Sequence, residues 1–138
     1  MASGLILETT FLIDLERELR RGQDGPVQQF LASHPNSPLA ITFTTAGELA
    51  AGPAMADRDR WQDFIAPFEV LTSTSDVCWT YGQTYRYLRT NGLLIGTNDL
   101  WIGATALAYG RPLVTRNVRH FQRIPRLTLL TYSSGSAE

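Results

Sequence analysis

Four side chains able to do chemistry each follow a short apolar run. Glu8 directly follows Gly4–Leu7. Glu48 lies in the first turn of a helix behind the run Leu39–Phe43. Asp99 stands behind Leu93–Ile95, and Asn117 behind Pro112–Val114. If these runs are strands of a parallel sheet, they all end at one edge, and ligands of open α/β sheets bind in the crevice at that carboxyl edge. Such an edge delivers three carboxylates and one amide to a single pocket. Gathered carboxylates repel one another, so either some protonate or a cation or an arginine compensates. An all-oxygen donor set suits a hard divalent ion, Mg2+ or Mn2+. Ordinary structural roles are available as well. Glu48 completes a capping box with Thr45, Asp99 favours a helix N-terminus, and Asn117 suits a turn. Glu8 is harder to place this way, because a carboxylate at a buried strand end is costly without a partner.

The elements that must position these residues alternate. Thr9 and Thr10 offer an N-cap for a helix through Arg21, with Leu12, Leu15 and Leu19 on one stripe and Gly22 as its stop. Pro26 suits the first turn of a helix over Val27–Ser33, and His34–Pro38 is a cluster of breakers. A helix from Thr45 runs to Gly52-Pro53. The segment Asp57–Phe68 repeats Trp61, Phe64, Ile65 and Phe68 at helical spacing, and Glu69–Leu71 reads as a brief strand. Ser73–Asp76 caps a helix that reaches Thr90 and ends at Asn91-Gly92. Asn98 caps a helix from Asp99 to Tyr109, which Gly110 ends. A short turn over Asn117–Phe121 precedes a last strand, Leu127–Tyr132. This alternation predicts an α/β fold with a mostly parallel sheet. Residues 1–132 make one domain, and 133–138 read as a frayed tail.

Composition narrows the chemistry. All 12 basic residues are arginine, so no lysine is present to bind phosphate, form a Schiff base or act as a base. The single cysteine, Cys78, excludes an internal disulfide and a cysteine-rich zinc site. The net charge of −1 is unevenly spread. Residues 1–76 carry 5 arginines against 11 acids, and residues 77–138 carry 7 arginines against 2 acids. The first half is an acidic surface and the second a basic one, which suits a basic track beside an acidic pocket. Met1–Leu7 lacks the basic and apolar regions of a secretory signal, and no apolar run reaches membrane-spanning length. The expectation is a soluble cytoplasmic protein.

Four segments, in order, resemble one family. The run Leu5–Leu15 (LILETTFLIDL) is similar to the LLDTSxLIDL opening of PIN-domain nucleases, especially the VapC toxins of toxin–antitoxin pairs. Phe43–Gly52 (FTTAGELAAG) resembles their xTxxELxxG segment, and Asn98–Leu107 (NDLWIGATAL) their NDxxIAATAL segment. Leu113–Leu127 (LVTRNVRHFQRIPRL) resembles LVTRNxxHFxRIxGL. The likeness covers essentially the whole chain.

The resemblance implies a three-layer α/β/α fold and a metal-dependent ribonuclease, in which Mg2+ or Mn2+ activates a water to hydrolyse RNA phosphodiesters. By position, Glu48 and Asp99 match acidic metal ligands of the family, and Asn117 sits where members carry Asp or Asn. Thr9 and Thr115 match hydroxyls that line the pocket. Glu8 departs from the pattern: the family places Asp there, and one extra methylene shifts a ligand in a site where ~1 Å of misplacement costs on the order of 100-fold in rate. Arg116 and Arg119 flank Asn117 and suit substrate phosphates, with Arg86 and Arg89 extending the track. The resemblance also implies a homodimer and a cognate antitoxin, for which Phe11, Leu12 and Phe30 are either grip points or core.

Two other classes compete. One is a PIN-like module silenced by Glu8 that only binds RNA or a partner. The other is a small phosphatase or nucleotide-binding domain, which no glycine-rich phosphate loop supports. The remaining polar and aromatic residues read as structural. Asp14 is a solvent-side helix residue, Asp76 completes the Ser73 cap, and His120 is a packing or turn residue. Cys78 is a small buried hydrophobe. Trp79, Tyr81 and Tyr85 are core or interface aromatics that could also stack bases.

Overall fold

The structure is a computed structural model, and it describes residues 4–132. The predicted tail at 133–138 lies outside the described residues. Five strands form one sheet in the order β3-β2-β1-β4-β5, with every neighbouring pair parallel. The strands are β1 (Leu5–Leu7), β2 (Leu39–Thr42), β3 (Glu69–Leu71), β4 (Leu113–Val114) and β5 (Leu129–Leu130). The helices are α1 (Thr9–Arg21), α2 (Pro26–Ala32), α3 (Phe43–Ala51), α4 (Arg58–Ile65), α5 (Ser75–Thr90), α6 (Thr97–Tyr109) and α7 (Val118–Phe121).

The two-residue side-chain period of the strands builds the three layers. Leu5 and Leu7 of β1, Ile41 of β2 and Val114 of β4 face one side, where they pack on Phe11, Leu12 and Leu15 of α1 and Val27 of α2. Ile6, Ala40 and Leu113 face the other, against Leu88 of α5, Leu100, Ile102 and Ala106 of α6, and Phe121. Because both faces are covered, the central strands are nearly continuous apolar runs, with Thr42 at the end of β2 the exception. Phe11 and Leu12 are wholly buried and belong to the core, so neither is a grip point; Phe30 packs edge-on against Phe11. The predicted stripe on α1 stops at Leu15, since Leu19 is 55% exposed. Trp61, Phe64, Ile65 and Phe68 pack against the first core as their spacing predicts.

One predicted strand is absent. Leu93–Ile95 carries no strand pairing. The five paired strands do not include this segment. Leu93 N instead donates to Leu88 O at 2.8 Å, closing the end of α5. Arg123 Nη1 donates to the carbonyl of Leu94 at 3.1 Å. The chain therefore passes from β3 to β4 through α5 and α6, packed on each other.

Helix ends differ in detail from expectation. Glu8, not Thr9 or Thr10, is the N-cap of α1, and Thr74, not Ser73, caps α5 by accepting from Val77 N at 3.2 Å. Asp76 is exposed in the first turn of that helix. Cys78 is exposed, which corrects its reading as a buried hydrophobe. Arg126 has a φ of 67°. It stands where the LVTRNxxHFxRIxGL pattern carries glycine, the residue that adopts this left-handed conformation without steric cost.

Candidate active site

Three junctions at the carboxyl edge of the sheet bring the acidic residues together. Glu8 leaves β1 and is 3% exposed. Its carboxylate accepts from Thr10 N at 3.2 Å and Thr10 Oγ1 at 2.6 Å. It also accepts from Thr115 Oγ1, which arrives from the far end of β4. Burial pushes the Glu8 carboxyl above its ordinary value, the hydroxyl bonds pull it down in part, and the charge of Asp99 raises it again.

Glu48 is placed differently. The predicted capping box does not form, because α3 starts earlier: Thr42 is its cap and accepts from Thr45 N at 3.1 Å. Glu48 is thereby left free to face the pocket. Its Oε1 accepts from Thr9 Oγ1 at 2.6 Å, and Thr9 Oγ1 lies 2.9 Å from Thr45 Oγ1. Its Oε2 accepts from Asn98 Nδ2 at 3.1 Å. Asn98 is thus a partner of Glu48 and not the predicted cap; α6 begins after Gly96, which makes no side-chain cap bond.

Asp99, in the first turn of α6, is the third acid. It reaches the edge from a non-strand segment, which corrects the predicted strand–helix junction. Burial raises its pKa, the neighbouring His120 lowers it, and the charge of Glu48 raises it. Glu8 feels Asp99 and Asp99 feels Glu48, so the three carboxylates share one region of negative potential.

Asn117 and His120 complete the wall. Asn117 N donates to Thr115 Oγ1 at 2.9 Å. His120 Nδ1 lies 3.0 Å from Asn117 Nδ2 and 3.3 Å from Asp99 Oδ2. A single nitrogen cannot serve both: with a proton it donates to Asp99, and without one it accepts from Asn117. His120 is therefore part of the site, which corrects its reading as a packing or turn residue.

The flanking arginines divide. Arg116 Nε pairs with Asp14 Oδ2 at 2.9 Å, and the same oxygen accepts from Tyr132 Oη at 2.7 Å. Asp14 is thus a partly buried anchor and not a solvent-side residue. The Tyr132 hydroxyl is pushed well above its ordinary range by burial and by Asp14. Arg119 and Arg86 are exposed, and Arg86 sits on α5, away from the contacts that join the acids. The role of Asp14 is not legible locally because Arg116 and Tyr132 reach it from more than 100 residues away; the LIDL ending of the first motif is the available signal.

The donor set is all oxygen: three carboxylates ringed by threonine hydroxyls. Two of the three acids are held above their ordinary pKa by burial and mutual repulsion, which a divalent cation relieves, so the residues fit such an ion. Each carboxylate is nonetheless turned onto a hydroxyl, amide or imidazole. Among the described residues, no three His, Cys, Asp or Glu side chains form a ready cage.

A family model described as PIN domain matches residues 5–127. Ribonuclease VapC1 of Haemophilus influenzae (strain R2866) is 33% identical over 129 residues, covering 88% of this chain and 92% of that protein. Ribonuclease VapC of Rickettsia bellii (strain RML369-C) is 36% identical over 136 residues, covering 93% and 96%. Among solved structures, VapBC2 from Rickettsia felis, bound to a DNA fragment from its promoter, superposes with a TM-score of 0.78 at 25% identity, covering 94% of this chain and 98% of that one. VapBC-1 from nontypeable Haemophilus influenzae gives 0.71 at 29% identity, covering 92% and 96%. The parallel sheet, its flanking helices and these matches agree: the chain belongs to the PIN domain family.

Proposed function

We propose that this chain is an endoribonuclease toxin of the VapC kind, which hydrolyses RNA phosphodiesters with Mg2+ or Mn2+ and is restrained by a cognate antitoxin. The observation that supports this most is the convergence of Glu8, Glu48 and Asp99 at one sheet edge in a chain so similar to proteins named Ribonuclease VapC. Glu8, Glu48 and Asp99 would hold the cation, with Asn117 positioning water or binding more weakly. The chemistry a divalent ion supplies in such a site is activation of a water and stabilisation of the leaving oxygen.

The chain's own residues do the rest. Thr10 and Thr115 fix the Glu8 carboxylate, while Thr9 and Asn98 fix that of Glu48. A carboxylate at the edge of this set would also suit taking the proton of the attacking water. Arg116 and Arg119 beside Asn117 suit the substrate phosphates, and Arg86 extends that track. Products would end in 5′-phosphate and 3′-hydroxyl. The relatives crystallised as VapBC complexes support an antitoxin partner, whose arginine could neutralise the acids. We place the protein in the cytoplasm as a homodimer; no helix among the described residues is long and apolar enough to cross a membrane.

One observation favours a second reading, a silenced RNA- or partner-binding module. The Glu8 carboxylate is already engaged by three donors from Thr10 and Thr115. Incubating the purified chain with total RNA in Mg2+, Mn2+ or EDTA, and mapping the new 5′ ends, separates the two. Metal-dependent cuts that vanish in EDTA are expected; RNA binding without cuts, restored to cutting by Glu8→Asp, would establish the second reading.

A further inference from the structure

Beyond Glu48 the site opens into a cleft of about 400 Å3 lined by Phe43, Thr44, Glu48, Asn98 and Trp101, together with small residues of α3. The Phe43 and Trp101 rings meet edge to face, with centroids 6.0 Å apart. Trp101 is backed by Tyr81, stacked on it at 3.8 Å. Neither Phe43 nor Trp101 is fully buried. The Thr44 hydroxyl is shielded from solvent and has no hydrogen-bond partner among the described residues. A buried polar atom without a partner is rare and costs free energy until it finds one.

We infer that this cleft receives an unpaired nucleobase of the RNA substrate, adjacent to the phosphodiester at the carboxylates; the inference rests on the ribonuclease reading above. The cleft and the acid cluster share a wall, since Glu48 and Asn98 belong to both. The cleft contains no basic side chain, and its one charge is the Glu48 carboxylate, so it repels phosphate and suits the uncharged part of a nucleotide. Aromatic faces stack on any base, and single-stranded RNA splays its bases onto such faces. A hydroxyl both donates and accepts, so Thr44, turned about χ1 into the cleft, can satisfy itself on a base edge. The cleft then sets which base lies beside the cut.

The test maps cleavage of a randomised single-stranded RNA library in Mg2+ or Mn2+ by the wild-type chain, Thr44→Val and Trp101→Leu, with light scattering on each protein. The wild-type chain should prefer one base at a position beside the cut, and Thr44→Val should flatten that preference. Trp101→Leu should lower kcat/KM through KM by roughly 5- to 100-fold, the range expected for losing one stacked base. An abasic nucleotide at that position should cost the wild-type chain a similar factor and add nothing further to Trp101→Leu. No base preference in the wild-type chain, an unchanged preference in Thr44→Val, or additive losses would overturn the inference while leaving the ribonuclease reading intact. A changed oligomeric state in Trp101→Leu with unchanged preference would overturn it in favour of a second copy on this face. Thr44→Val, close in shape to the parent, carries the test if Trp101→Leu fails to fold. Absence of any RNA cleavage by the wild-type chain would overturn both readings.

Discussion

Glu8 and Glu48 follow adjacent strands at the same sheet edge, yet their settings differ. Glu8 is sealed at the β1–α1 junction, where it caps its own helix and accepts three bonds from Thr10 and Thr115. Glu48 stands at the mouth, with Thr9 on one oxygen and the Asn98 amide on the other. Burial raises the Glu8 pKa above its ordinary 4.5. The difference shows how one side-chain type becomes two tools: a sealed carboxyl fixed by hydroxyl donors inside and an accessible one at the entrance.

Removing the charge of the open acids should have the largest effect. Glu48→Gln and Asp99→Asn should each lower RNA cleavage at least about 100-fold in Mg2+; full activity in both would break the assignment of the mouth as a metal site. Shortening the sealed acid comes next. Glu8→Asp should raise cleavage by about 10- to 100-fold in a side-by-side rate assay if the extra methylene misplaces the ligand. Equal rates would mean that the longer side chain is accommodated.

The support of Glu8 can be tested by stability. Thr115→Val removes a hydroxyl that donates to Glu8, and denaturant titration should show a loss of about 1–3 kcal/mol. Arg126→Gly relieves the left-handed backbone without touching either glutamate, and should gain about 0.5–1 kcal/mol by the same titration.

The smallest effect is a pH slope. Since Glu8 has a raised pKa in the fold, its favourable contribution is complete below the ordinary glutamate value and is lost as pH rises through the raised one. Glu8→Gln should therefore melt higher than the parent in EDTA at neutral pH and gain no advantage at acid pH. A pH-independent difference would mean that Glu8 is not the group that titrates.

Much of this arrangement is legible in the chain. The runs Leu5–Leu7, Leu39–Phe43, Glu69–Leu71 and Pro112–Val114 announce strands, and the acids behind two of them announce the edge. Leu93–Ile95 looks the same locally, but the end of α5 and the Arg123 side chain engage its backbone in place of a strand. Local periodicity carries no information about those contacts. The same applies to Asp14 and His120, whose roles arise only when Arg116, Tyr132 and Asp99 fold onto them. Thr42 displaces Thr45 as the cap because its hydroxyl, at the end of β2, accepts from Thr45 N and starts the helix three residues earlier. That shift also freed Glu48.

The bond between Thr115 and Glu8 joins positions 107 residues apart, through the parallel pairing of the central strand β1 with β4. Closing so long a loop precedes any contact that rewards it, which makes such folds slow to form. During synthesis, Glu8 must wait for the 107 residues up to Thr115 before its pocket exists. A nascent or truncated chain ending before β4 lacks Asn117 and the hydroxyl that seats Glu8. The acidic pocket is thus completed only after β4 has joined the sheet.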